Sequence, residues 1–76
     1  MNELEQRVLL DKMDRIISEI NLINFEISCS WFMRAKNEFY KSQLSFENLA
    51  KLERTLTLFN EKIDKLLNKG NSHETV

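Results

Sequence analysis

The sequence predicts an all-α protein. A long helix over about 3–43 turns back on a return helix over about 46–69, and the resulting antiparallel hairpin self-associates into a helical bundle. Three observations predict this. The 76 residues hold no proline and one glycine, Gly70, whereas turn-rich β folds need many such residues. Two apolar seams recur in steps of three and four residues, the helical period. Capping residues stand where the seams begin and end. Residues 1–70 are read as a single helical domain and 71–76 as a disordered polar tail.

The long helix opens at Asn2, with Glu5 three residues later at the capping-box spacing. Its seam runs Leu9, Met13, Ile16, Ile20, Ile23, Ile27, a heptad pattern. Leu10 and Ile17 widen the stripe. Glu3–Arg7 and Asp11–Arg15 are i,i+4 pairs in the acid-first order that supports a helix.

The return helix opens at Ser45, a good N-cap, with Glu47 in its first turn. Leu44 and Leu49 have the spacing of a hydrophobic staple. The seam runs Leu49, Leu52, Leu56, Phe59, Ile63, Leu66, and Glu47–Lys51 and Glu61–Lys65 decorate the outside. Lys65 and Lys69 suit the negative end of the helix dipole, and Gly70 is the expected residue just past the helix.

Between these elements the apolar face changes sides. From Leu22 onward a second set appears, Leu22, Phe25, Cys29, Phe32, Phe39 and Tyr40, roughly opposite the first at about 100° per residue. Two structures fit. In one, the helix is continuous. Phe25, Phe32 and Phe39 then form a hairpin core with Leu49, Leu52, Leu56, Phe59, Ile63 and Leu66, and the earlier seam is left for another chain. In the other, the helix breaks at Ser28-Cys29-Ser30 and three helices close a bundle. No glycine or proline interrupts 3–43, so continuity is the expectation.

A 41-residue helix is about 60 Å long and a 24-residue one about 36 Å. The return helix therefore leaves the first turns uncovered. Leu9, Leu10, Met13, Ile16, Ile17, Ile20, Ile23 and Ile27 become the expected protein interface. A second copy of the chain is the simplest cover, giving a homodimer or larger assembly, with a larger protein as a further partner.

Composition narrows the function classes. The net charge of −1 gives no global pull toward nucleic acid or anionic lipid. Residues 1–28 are acidic and residues 29–54 basic, an asymmetry suited to antiparallel self-association. No run of about 20 apolar residues exists to span a membrane. The start MNELEQRVLL has no secretory pattern. One cysteine makes no internal disulfide, and Cys29 reads as a small core residue. A cytoplasmic protein is expected.

No catalytic or metal-binding constellation stands out. His73 is the one histidine and lies in the tail, and no Cys/His cluster has metal-ligand spacing. Asp11 and Asp14 share a helix face with no partner for acid–base work. No enzyme, cofactor or metal is expected. The leading reading is a small interaction module: an adaptor, regulator or chaperone-like protein. The rival class is a nucleic-acid-binding hairpin dimer, in which Arg34, Lys36, Lys41, Lys51 and Arg54 contact phosphate beside Trp31, Phe32, Phe39 and Tyr40.

A weaker alternative comes from NEKIDKLLNK, Asn60 to Lys69. It resembles the S-Q-E-L-D-x-L-I-N ending of small sporulation aspartyl-phosphate phosphatases, which are also helical hairpins. Asp64, Leu66, Leu67 and Asn68 follow that pattern. Glu61 stands where the family has the glutamine thought to position a water, and Asn60 stands in its serine place. The residues that would carry the reaction are those that depart.

Overall fold

In the computed structural model, which describes residues 3–42 and 45–70, the chain forms three α-helices. They are α1 (Glu3–Glu19), α2 (Phe25–Lys41) and α3 (Phe46–Gly70). The described residues contain no strand, and the all-α expectation holds. The continuous helix over 3–43 does not form. The chain breaks at Ile20–Asn24, not at 28–30, and Ser28, Cys29 and Ser30 lie within α2. The architecture is the three-helix bundle, with its break about one heptad earlier than Ser-Cys-Ser suggests.

Two asparagines make the break without glycine or proline. Asn21 Oδ1 accepts the backbone N–H groups of Ile23 at 2.8 Å and Asn24 at 3.0 Å. Asn24 Oδ1 accepts the Asn21 N–H at 2.7 Å, and its Nδ2 donates to the Glu19 carbonyl at 3.1 Å. Helix ends leave such backbone groups orphaned. Asparagine satisfies them locally and so competes with continued helix. The apolar face only seems to switch sides. The Leu9–Ile20 set and the Phe25–Phe39 set belong to different helices, and both point into one core.

At the other end Ser42 closes α2. Its N–H and its Oγ–H both donate to the Phe39 carbonyl, at 3.1 and 2.6 Å. Ser45 opens α3 as the sequence predicts, its Oγ accepting the Asn48 N–H at 3.1 Å. Lys51 pairs with Glu47 at 3.5 Å. Gly70 is the last residue of α3 rather than the first beyond it. Asn2, Leu44 and the tail with His73 lie outside the described residues.

Four side-chain pairs set the directions. Gln6 is level with both Ser42 and Asn48, Asp14 with Thr55, and Phe32 with Phe59. Hence α1 and α3 run parallel and α2 runs against both, in a body of 49 × 21 × 16 Å. The backbone of α1 packs closely on each of the others, whereas no Cα pair between α2 and α3 comes within 8 Å among the described residues. Large aromatic side chains fill the wider gap. The rings of Phe32 and Phe59 stack there with centroids 3.8 Å apart and planes 6° from parallel.

The core draws on all three segments: Leu9, Leu10, Met13, Ile16 and Ile20; Phe32, Ala35 and Phe39; Leu52 and Phe59. Phe25, Leu49, Leu56, Ile63 and Leu66 are half-buried against it. These residues lie in or against one core shared with α1, and not in a separate two-helix hairpin. Full burial of side chains such as Phe32, Phe39, Met13 and Leu52 is worth about 1.5–3 kcal/mol each.

The expected interface is corrected by the same break. Leu9, Leu10, Met13, Ile16 and Ile20 are not left uncovered. They are buried by the chain's own α2 and α3, because the turn at Ile20–Asn24 folds the later segments back over them. Ile17 is half-buried against the core. Ile23 stands in the turn at 98% exposure, and Ile27 is exposed on α2.

Candidate protein-interaction face

The core leaves a second apolar set outside. On α1, Leu4 and Val8 are exposed, and Lys12 continues their row in steps of four. On α2, Ile27 and Trp31 are exposed, and Arg34 and Glu38 continue theirs in steps of three and four. Residues at these spacings share a helix face. The two rows meet along the groove between α1 and α2.

The groove holds two hollows. One, of about 320 Å³, is lined by Leu4, Val8 and Leu9 with Glu5 and Glu38. Its walls are apolar and its charges are carboxylates. The other, of about 330 Å³, is lined by Trp31 between Lys12 and Arg34. Trp31 is 49% exposed, so half of a large aromatic surface faces water. Large exposed apolar side chains gathered on one groove are the mark of an interaction surface.

The groove between α1 and α3 is different. Its hollow of about 410 Å³ is lined by Arg7, Lys51 and Arg54 together with Asp11, Asp14 and Thr55. Asp14 Oδ1 accepts the Thr55 hydroxyl at 3.2 Å. Cations and carboxylates alternate here, so a phosphate chain would meet both signs.

The five cations of the nucleic-acid reading are accordingly divided. Arg34 lies in the α1–α2 groove and Lys51 and Arg54 in the α1–α3 groove, while Lys36 is half-buried and Lys41 is exposed at the end of α2. Of the aromatics, Phe32 and Phe39 are fully buried and unavailable for base stacking; Trp31 and Tyr40 are exposed. The residues of the phosphatase-like stretch, Asn60, Glu61, Asp64 and Asn68, are exposed on α3.

Cys29 is half-buried on α2, and burial pushes its thiol above the ordinary range. A raised pKa leaves less thiolate, the reactive form. Among the described residues no group of His, Cys, Asp and Glu side chains is placed to hold a metal ion. No described helix is long and apolar enough to cross a membrane.

No family model, curated protein or solved structure matches the chain.

Sequence reasoning missed the α1–α2 face because it placed both helices in one rod. Leu4, Val8, Ile27 and Trp31 then had no common groove. Leu4, Val8 and Trp31 lay outside both seams and Ile27 was placed on the first; the two pairs become neighbours only once the chain folds back at Asn21 and Asn24.

Proposed function

We propose that this chain is a small non-enzymatic protein-interaction module, cytoplasmic, whose working surface is the α1–α2 groove. The observation that carries the reading is the exposure of Leu4, Val8 and Trp31 along that groove, with Ile27 exposed one turn before Trp31 on the same face of α2. A domain of this size buries only about 60% of the surface its unfolded chain exposes. Each large apolar side chain kept outside forgoes stabilisation of about 1.5–3 kcal/mol, and four on one groove argue for a partner that covers them. Trp and Arg, the side chains most enriched among interface anchors, stand side by side there as Trp31 and Arg34.

The reading is tested by placing a photo-reactive amino acid at Val8, at Ile27, or as a control at Glu61 on the outside of α3. After irradiation in the cells that make the protein, Val8 and Ile27 give discrete protein adducts, identified by mass spectrometry, and Glu61 gives none. Equal labelling from all three positions, or none from the groove, removes the groove as the working surface.

A further inference from the structure

We propose that the occupant of the α1–α2 groove is a second copy of this chain. The two copies are related by a two-fold axis perpendicular to the helices, and Trp31 of each enters the Leu4–Val8–Leu9 hollow of the other. This rests on the reading of the groove as a protein-interaction surface and names its partner.

The groove is complementary to itself. One half offers an apolar hollow edged by the carboxylates of Glu5 and Glu38. The other offers an exposed indole between the cations of Lys12 and Arg34. The two halves differ in charge, cations edging one and carboxylates the other. A two-fold interface requires this of a single patch: where residue i meets residue j, j must also meet i.

The spacing sets the orientation. Trp31 and Glu38 are seven residues apart on α2, so the indole and the Leu4–Val8–Leu9 hollow are separated by about 10 Å along the groove. An axis perpendicular to the helices and midway between them brings indole to hollow twice. An axis parallel to the helices would set Trp31 against Trp31 and the carboxylates against each other. Only the antiparallel arrangement places Lys12 and Arg34 opposite Glu5 and Glu38.

Area sets the strength. A face two 17-residue helices wide is about 25 Å by 20 Å, or roughly 500 Å² a side. A standard stable interface needs about 800 Å² a side. The dimer is therefore a weak, reversible one, with a dissociation constant on the order of tens of micromolar.

The chain has a built-in reporter, since Trp31 is its one tryptophan. Sedimentation and tryptophan emission are followed on the full chain from about 5 to about 500 µM, a range that brackets the expected constant. The mass rises from 9.1 kDa toward twice that value, and the emission moves to shorter wavelength over the same range. Trp31→Ala weakens association at least about ten-fold, as loss of a central aromatic anchor does. Arg34→Glu and Glu38→Lys each weaken it several-fold, and the double variant carrying both recovers most of the loss, because its charges are exchanged on both halves. All three positions altered or read are on the surface, and circular dichroism checks that each variant is folded.

A chain that stays at 9.1 kDa with unchanged emission overturns the proposal, as does a dimer indifferent to Trp31→Ala or a double variant no better than the singles. If the purified chain stays monomeric while Val8 and Ile27 still capture another protein in cells, the second copy is wrong and the interaction surface stands. If neither experiment gives a partner, both readings fall.

Discussion

Asn48 donates from its Nδ2 to Gln6 Oε1 at 2.6 Å, tying the first turns of α3 and α1 together across 42 residues of sequence. Gln6 Nε2 in turn donates to Ser42 Oγ at 2.8 Å. Gln6 and Asn48 are almost completely buried, and Asn48 Oδ1 has no partner among the described residues. A polar pair inside an apolar bundle sets which residues stand level, because any slip of α3 along α1 would break their bond and leave the Asn48 amide buried without it.

Asn48→Ala removes the donor from buried Gln6 Oε1, and we expect a loss of about 1–3 kcal/mol in chemical denaturation. Replacing both Gln6 and Asn48 by leucine removes donor and acceptor together and costs much less than the sum of the single changes. Strictly additive losses would show that the two amides do not act as a pair.

The turn gives a second expectation. Asn21→Ala with Asn24→Ala deletes the four side-chain bonds that close α1 and shape the turn. Exposed bonds of this kind are each worth about 0.5–1.5 kcal/mol at most, so a loss of about 1–3 kcal/mol follows. Helix content by circular dichroism should hold or rise slightly, since alanine favours helix. Unchanged stability would mean that packing alone bends the chain.

The aromatic stack between α2 and α3 gives a third. Phe32→Ala or Phe59→Ala empties a core site and should cost about 3–5 kcal/mol. Set against Phe32→Leu and Phe59→Leu, a double-mutant cycle should leave about 0.5–1.5 kcal/mol of coupling beyond burial. A coupling of zero would reduce the stack to simple space-filling.

Much of this fold was legible in the sequence. The helical period of Leu9 to Ile20 and of Leu49 to Leu66 and the Ser45 cap were readable from spacing, whereas the covering of the Leu9–Ile20 seam by the chain itself was not. The turn was not legible as a break, because Ile20 and Ile23 keep the heptad step through it and neither glycine nor proline marks it. Asn21 and Asn24 carry the signal, and it lies in their side-chain bonding rather than in hydrophobic periodicity. The interaction face followed the same fate: it depends on which helices become neighbours, a tertiary fact that no single helical wheel contains.

Cys29 gives a prediction in pH. Its thiol is raised by burial in the folded chain, while in the unfolded chain it ionises near pH 8.5. Below about pH 8.5 both states hold the proton and the stability is intact. As the pH rises from there through the raised folded value, the unfolded chain has released its proton and the folded chain has not, so stability falls. The stability difference between the wild-type chain and Cys29→Ala should therefore be flat near neutrality and shift in favour of the alanine variant above about pH 8.5. Reaction of the native thiol with a disulfide reagent should lag behind that of the unfolded chain throughout the window. A flat difference into alkali, with equal reactivity, would place Cys29 in water.

The parallel pairing of α1 with α3 also bears on how the protein is made. A ribosome delivers α1 before the helices that cover its apolar stripe, and α3 after both α1 and α2. At about 5–20 residues per second, the roughly 50 residues from Ile20 to Gly70 take on the order of 3–10 s to emerge. For that interval Leu9, Leu10, Met13 and Ile16 have no complete cover of their own. A nascent chain stalled within α3 would present that stripe to chaperones and proteases, so quality control of this small bundle falls on α3.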